Sequence, residues 1–443
     1  MTTAGISLAQ SPPLSVPARF FATAPLFGVL AGVVMTWAGS GGLSDRWMPA
    51  VLAATHLLTL GYMGMIMLGA LMQVFPVVIG HPFRRSTLVS TIVHASLTLG
   101  IVLLSSAFLV PRDGLLVAAL LMLAAALLIF LAAASATLWN VEAWGDTAST
   151  IALALLAFAV MTGLGLWLAL GHTSYLPLPR SWTDIHAGWG LAGWVPLLLM
   201  GVAYQVVPMF QLTPDYPRVL RRIFPVALFT MLLAGTLAHG LGLPEWTVRL
   251  PQVTAALVLA GFAVATLELQ RRRRRKRPDV TVAYWRVGLA CLILAVLLWT
   301  AGQLPTKVGS DPRYALMLGV LMIPGFSLSV INGMLYKIVP FLVWLHLTMA
   351  PAGRAAPPTG PAPGVKQIIP DQHSRLQLRV HTLALLLISA GVLGVPGVLR
   401  AGALAFTLAC VLLGRDILSA VRLYRVKAGS AHRSPAAPQD ARD

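Results

Sequence analysis

Hydrophobic residues occur along the chain in long uninterrupted stretches separated by short polar segments. A helix needs about 20 apolar residues to cross the ~30 Å core of a lipid bilayer, and twelve stretches are long enough. We therefore predict twelve membrane-spanning helices, numbered here in chain order. They cover residues 19–38, 48–79, 87–110, 115–139, 149–171, 185–210, 221–242, 247–270, 281–303, 313–346, 379–397 and 399–423.

The composition excludes a water-soluble enzyme. Of the 443 residues, 57% are apolar and only 10% are charged, whereas about a quarter of the residues in soluble proteins are charged. The sequence thus predicts an all-α polytopic membrane protein that is surrounded by membrane lipid. The polar segment 1–18 has no charged region followed by a short apolar core, so we predict no cleaved signal peptide.

Basic residues determine the predicted orientation. The chain contains 32 Lys and Arg against 14 Asp and Glu, a formal net charge of +18. With a cytoplasmic N-terminus, the cytoplasmic segments would contain 22 of these bases and the opposite loops seven. The positive-inside rule then predicts that both termini lie in the cytoplasm, and we expect the membrane to be a bacterial inner membrane. We interpret the run Arg271–Arg277 as a topology anchor rather than an anionic-lipid or nucleic-acid patch, and we predict no nucleic-acid partner.

One motif occurs three times at equal spacing. GALMQVFP begins at Gly69, GVAYQVVP at Gly201 and GMLYKIVP at Gly333, each 132 residues after the copy before it. This period predicts three four-helix units around a pseudo-threefold axis, with helices 2, 6 and 10 as equivalent, inward-facing helices. The predicted divisions are a cytoplasmic segment 1–18, units at 19–139, 149–270 and 281–423 (the last with a flexible loop 350–372), and a disordered cytoplasmic tail 424–443.

Two histidines lie near the periplasmic ends of equivalent helices. His56 and His186 precede their repeat glycines by 13 and 15 residues. Because paired imidazoles from neighbouring helices can ligate haem iron, we predict that this pair binds a metal cofactor. His239 in helix 7 and His94 in helix 3 are the alternative partners. The other interpretation is that each histidine only forms hydrogen bonds at a helix end.

Three polar residues follow the repeat glycines by four positions. They are Gln73, Gln205 and Lys337. We predict a structural polar cluster near the pseudo-threefold axis, in which the two amides bond the lysine. The alternative is three separate side chains that extend towards the headgroups.

The twelve-helix arrangement and the histidine helices resemble the catalytic-subunit superfamily of haem-copper oxidases. His186-Ala-Gly-Trp-Gly-Leu-Ala-Gly-Trp194, followed by Tyr204-Gln-Val-Val-Pro208, is similar to the haem-ligand helix of cbb-type oxidases. Thr55-His-Leu-Leu-Thr-Leu-Gly61, with the later Gly80-His-Pro82, looks like the repeated helices of NnrS, a haem protein of the nitric oxide response. The resemblance implies one haem b, bound through His56 and His186.

The departures from that family limit the implied chemistry. Where the oxidases carry a His-x-His on helix 10, this chain has Leu318-Gly-Val320, and Gly188 occupies the copper-ligand register of helix 6. Copper and a catalytic site are therefore not expected, nor is terminal oxygen or nitric oxide reduction. The resemblance instead implies electron transfer, gas sensing or an accessory role beside a respiratory or denitrification complex. The alternative is a cofactor-free scaffold, assembly factor or transporter.

Overall fold

The computed structural model describes residues 11–274, 279–348 and 363–433. These residues contain no strand, and twelve of their helices are long and apolar enough to cross a membrane, which confirms the predicted fold class. We number them α1 to α12. Their bounds are Ser15–Gly42, Pro49–Val77, Ser86–Leu109, Asp113–Trp139, Asp146–Leu170, Arg180–Gln211, Arg218–Gly240, Glu245–Arg271, Val280–Gly302, Pro312–Thr348, Asp371–Val392 and Val398–Ala428.

The helices differ strongly in how much of their surface the protein covers. In their most apolar windows, 72% of α2, 72% of α6 and 56% of α10 is buried, whereas the other nine spans range from 22% to 44%. Three inner helices are therefore surrounded by nine outer ones that face lipid. The outer helices pack in pairs, and α1 contacts α12, so the first and last spans close the bundle.

Glycines let the inner helices approach their neighbours closely. A methyl carbon on Gly69 would lie 2.7 Å from Cβ of Phe20 in α1, and one on Gly333 would lie 2.6 Å from Cβ of Tyr284 in α9. The contact of Gly201 with α5 is looser, at 3.2 Å. Lipid provides no hydrophobic drive between helices, so such close backbone packing is a main source of their association.

Each inner helix also contains a π-helical turn. These turns cover Leu57–Gly64 in α2, Trp189–Trp194 in α6 and Leu321–Ser327 in α10. Their first residues are 132 positions apart, the period of the sequence motif. A π turn takes up one extra residue and widens the helix locally, and such turns occur frequently at functional sites.

Two boundaries differ from the sequence prediction. Residues 363–372 contain a short helix, Val365–Ile368, and the start of α11 at Asp371, where a flexible loop was expected. The last helix continues beyond its span, from Ala428 to Arg433, so residues 424–433 are helical where a disordered tail was expected. Both segments carry charged residues, and a prediction based on the length of apolar stretches places such residues in loops. Residues 350–362 and 434–443 lie outside the described residues.

Candidate functional site

A cavity of about 1010 Å³ opens at the end of the bundle where the α1–α2, α5–α6 and α9–α10 loops lie. Its walls come from all three inner helices and their neighbours, and they are mostly Leu, Met, Val and aromatic side chains. Pockets that bind small molecules and cofactors commonly measure ~300–1,000 Å³ and are mainly apolar with a few polar groups. The volume and the lining both fit a large, mainly apolar ligand.

His56 lines this cavity from α2, immediately before the π turn. Its Nδ1 lies 2.8 Å from the carbonyl oxygen of Leu52. Because a carbonyl only accepts, Nδ1 must carry the proton, and Nε2 therefore holds the lone pair that a metal would need. Nε2 has no hydrogen-bond partner among the described residues, and the ring packs 5.2 Å from that of Phe108.

His186 lines the same cavity from α6. Its Nδ1 lies 3.1 Å from the carbonyl oxygen of Met161 in α5, which fixes the same tautomer. Gly165 makes room for the ring, since a methyl carbon there would lie 2.8 Å from the imidazole Cε1. Both histidines therefore line one cavity despite their two-residue difference in register.

The donors around the cavity fit a haem better than a bare metal ion. In the part of the chain that the structure describes, no three His, Cys, Asp or Glu side chains converge as ligands. Two imidazoles suffice for an iron whose other ligands come from a porphyrin. The hydroxyl of Thr162, a cavity residue only 6% exposed, has no partner among the described residues. Gly188 and Gly319 line open space, since no atom lies within 4 Å of a methyl carbon placed on either.

His172 is a third histidine of the cavity that the sequence analysis did not assign to the site. It lies in the α5–α6 loop, 5.6 Å from the ring of Phe108, which also contacts His56. Burial and the nearby Arg180 guanidinium lower the pKa of His172, so it is neutral at neutral pH. The helix count places this loop at the same membrane side as His56, and that signal could have identified it.

The mouth of the cavity is charged and aromatic. Arg46 Nη1 lies 2.6 Å from Asp184 Oδ1. The guanidinium carbons of Arg46 and Arg180 each lie 5.2 Å from the centroid of the Trp47 ring. The Asp45 carboxylate accepts a 2.7 Å hydrogen bond from the Trp47 backbone N–H. Asp45, Arg46 and Trp47 lie in the α1–α2 loop, whereas Arg180 and Asp184 lie at the start of α6. Helix periodicity gave no sign that these two segments meet.

The two alternative histidines lie outside the cavity lining. His239 packs edge-on against Trp182, with ring centroids 5.2 Å apart. His94 Nε2 lies 2.9 Å from the Thr23 hydroxyl, which ties α3 to α1. Both rings therefore have packing partners elsewhere, and among the described histidines those that line the cavity are His56, His172 and His186.

Lys337 has a different partner from the predicted amides. Its ammonium nitrogen lies 3.0 Å from Oδ2 of Asp279, the N-cap of α9, so an ion pair replaces the predicted bonds. Gln73 Nε2 lies 3.4 Å from the Ser11 hydroxyl, and Gln205 is exposed. An aspartate just outside a predicted span can neutralise a lysine inside it more effectively than an amide can.

Comparison with solved structures identifies the fold, whereas no family model matches the chain and no curated protein does. The chain is similar to one from a cryo-EM structure of a haem-copper terminal oxidase dimer. The TM-score is 0.53 at 13% identity, over 96% of this chain and 85% of that chain. This chain has the haem-copper oxidase fold. The resemblance seen in the sequence is thereby confirmed for the fold, while the finer likeness to cbb-type oxidases and NnrS stays a prediction.

Proposed function

We propose that this protein binds one haem b in a bacterial inner membrane, with His56 and His186 as the iron ligands. One observation carries the proposal: two imidazoles line a single apolar cavity with their Nδ1 atoms bonded to carbonyls and their Nε2 atoms unbonded. A metal-ligating histidine has this arrangement, because the bond at the second nitrogen fixes its tautomer and orientation.

The residues of the chain have distinct roles in this proposal. The carbonyls of Leu52 and Met161 orient the two rings, and the apolar walls exclude water. When bound, haem b would supply an iron that changes oxidation state, and it would take a diatomic gas in place of one of the two imidazoles. The Thr162 hydroxyl offers a hydrogen-bond donor inside the cavity. The supported roles are electron transfer, or gas sensing in a nitric oxide response, beside a respiratory or denitrification complex.

We do not propose terminal oxidase or nitric oxide reductase activity. The positions that carry further ligands in the resembling oxidases are Gly188, Leu318 and Val320, and all three line this cavity. None of these side chains can ligate copper or a second haem. The proposal is therefore a haem protein without a copper site and with no catalytic residue of its own.

We also propose that the chain consists of three related four-helix units with both ends in the cytoplasm. The equal spacing of the three π turns supports this division. So do the contacts of Gly69, Gly201 and Gly333, which lie against α1, α5 and α9, the first helix of each proposed unit. The excess of bases at the end of the bundle opposite the cavity supports the orientation.

The test is the absorption spectrum of protein purified from haem-replete cells. We expect a Soret band with b-type features that His56→Ala and His186→Ala each remove or convert to high spin. His94→Ala and His239→Ala are matched controls, since both replace helix histidines outside the cavity, and we expect them to keep the wild-type spectrum. Wild-type protein without a Soret band would instead favour the cofactor-free scaffold, assembly factor or transporter.

A further inference from the structure

The hairpin of α7 and α8 is the part of the bundle that the protein covers least. Only 22% of the most apolar window of α7 and 33% of that of α8 is buried. A methyl carbon on Gly261 would lie 3.1 Å from the Phe224 ring, so the two helices pack side by side. The Arg274 backbone N–H donates a 2.9 Å bond to the Leu212 carbonyl oxygen, which joins the loops at their ends. The start of α7 and the end of α8 therefore lie at one membrane face, opposite the cavity.

Arginines accumulate at this end of the hairpin. They are Arg218, Arg221 and Arg222 in the first turns of α7, and Arg271, Arg272, Arg273 and Arg274 at the end of α8 and directly after it. The hairpin supplies few carboxylates to match them. Glu268 pairs with Arg272 at 2.7 Å and with Arg271 at 3.6 Å, and Asp215 is exposed in the loop before α7. This place on the membrane face therefore carries an excess of positive charge.

Arg218 and Arg222 are the two arginines on the outer face of α7. Arg218 is exposed and has no carboxylate partner among the described residues. The side chain of Arg222 is 74% exposed, and its Nε lies 3.4 Å from Oδ1 of Asp146, a carboxylate that Arg221 also approaches at 3.4 Å. A long, shared and exposed contact of this kind contributes little. Residues four positions apart lie on the same face of a helix, so both guanidinium groups are available to one anion.

The same face of α7 continues into the bilayer as apolar surface. Steps of three or four residues from Arg222 lead to Val226, Thr230, Leu233 and Leu237. Val226, Leu233 and Leu237 are 51%, 38% and 56% exposed, and we call them the apolar stripe. The Thr230 hydroxyl donates a 2.8 Å bond to the Val226 carbonyl oxygen of its own helix, so its polarity is satisfied locally. Two cations at the membrane face followed by exposed hydrocarbon match the order of groups in a phospholipid.

We propose that the start of α7 is a binding site for an anionic phospholipid, with the headgroup phosphate held by Arg218 and Arg222 and an acyl chain along the apolar stripe. Guanidinium groups bind phosphate oxygens through short, charge-assisted hydrogen bonds. A zwitterionic lipid would bring its own cation towards the two arginines, which disfavours it. The site lies at the end of the bundle opposite the cavity and does not depend on the proposed haem. The run Arg271–Arg277 keeps its predicted role as a topology anchor.

The experiment measures lipid binding by the purified full-length protein in detergent. Delipidated protein is titrated with phosphatidylglycerol and with phosphatidylcholine of identical acyl chains, and bound lipid is counted by native mass spectrometry. We expect the wild type to bind its first phosphatidylglycerol roughly tenfold more tightly than phosphatidylcholine. Arg218→Gln combined with Arg222→Gln should lose most of this preference. Arg218→Lys combined with Arg222→Lys should retain part of it, because both charges remain.

Arg84→Gln combined with Arg85→Gln is the matched control. These two arginines are also exposed and lie directly before α3, at the same membrane face as the start of α7. The control therefore removes the same charge from another helix, and we expect it to keep the wild-type preference. Equal binding of the two lipids by the wild type would overturn the proposal, as it would if a short oligonucleotide bound there instead. Equal loss of preference in the two glutamine variants would also overturn it, since that result indicates general surface charge rather than a site.

Discussion

The inner helices α2 and α6 differ from α10 in how their polar groups are satisfied. All three have a π turn and a closely packed glycine at equal spacing. Before the π turn, α2 and α6 present His56 and His186 with unbonded Nε2 atoms, whereas α10 has Leu318 and Val320 at those registers. The histidines are therefore available for a ligand, and the wall of α10 is only apolar surface.

On the C-terminal side of its π turn, α10 carries buried polar residues that have hydrogen-bond partners. Three of them face three different helices: Ser329 bonds His381 at 3.0 Å, Asn332 accepts from Tyr62 at 2.9 Å, and Tyr336 donates to Asp416 at 3.1 Å. Buried polar groups with complete partners stabilise packing. This part of α10 therefore has a packing role, whereas the histidines proposed to bind a ligand lie before the π turns of α2 and α6.

The largest expected effect tests the packing shared by all three helices. Gly69→Ala and Gly333→Ala should each lower the free energy of unfolding by about 1–3 kcal/mol, because a methyl group would overlap Phe20 or Tyr284 near the backbone. Gly201→Ala should cost less than about 1 kcal/mol, since the neighbouring Thr150 side chain lies 3.2 Å away and can shift. Thermal unfolding in detergent measures all three, and equal losses would contradict this ranking.

A second prediction separates bonded from unbonded histidines in haem-free protein. His381→Ala should lower the free energy of unfolding by about 1–3 kcal/mol, because it removes a buried bond between α10 and α11 and leaves the Ser329 hydroxyl only its 3.4 Å bond to the carbonyl oxygen of Pro324. His56→Ala should cost less, since the ring bonds only the carbonyl of Leu52 in its own helix. If His56→Ala proved the more destabilising in the absence of haem, His56 would be a structural residue.

A smaller effect concerns the ion pair at the opposite end of α10. Lys337→Met should cost about 0–1 kcal/mol, as is usual for partly exposed pairs. Burial alone would raise the pKa of Asp279, but the Lys337 ammonium and hydrogen bonds from Thr281 hold it below its ordinary value. The stabilisation is therefore fully present above the ordinary pKa and is lost as the pH falls through the lowered one. Wild type and Lys337→Met should converge in stability at acidic pH, and a constant difference would contradict this.

The smallest expected effect concerns His172. Because its folded-state pKa is lowered, the unfolded chain takes up a proton at a higher pH than the folded protein does. Stability should therefore fall slightly as the pH drops below the ordinary histidine pKa, and it should be unaffected above that value. His172→Gln should flatten this part of the profile, as pH-dependent unfolding would show. An unchanged profile would mean that His172 is not enclosed.

The repeated glycine motif predicted the inner position of α2, α6 and α10, and apolar length alone was enough to predict the twelve spans. It missed the start of α11 at Asp371 and the helical residues 424–433, because both segments contain charges that the folded chain accommodates. His56 and His186 could be paired by counting from their glycines. The contacts of Trp47 with Arg46 and Arg180 could not be predicted, because they depend on how the α1–α2 loop folds against the start of α6. The predicted partners of Lys337 were wrong because its actual partner, Asp279, lies outside the predicted span.

The haem content of the purified wild-type protein tests the central claim most directly. The measurement is the pyridine haemochrome of a monodisperse sample from haem-replete cells, divided by the protein concentration. We predict one haem b per chain, held by the imidazoles of His56 and His186. A content near zero in folded protein, unchanged after incubation with protohaem, would contradict the account.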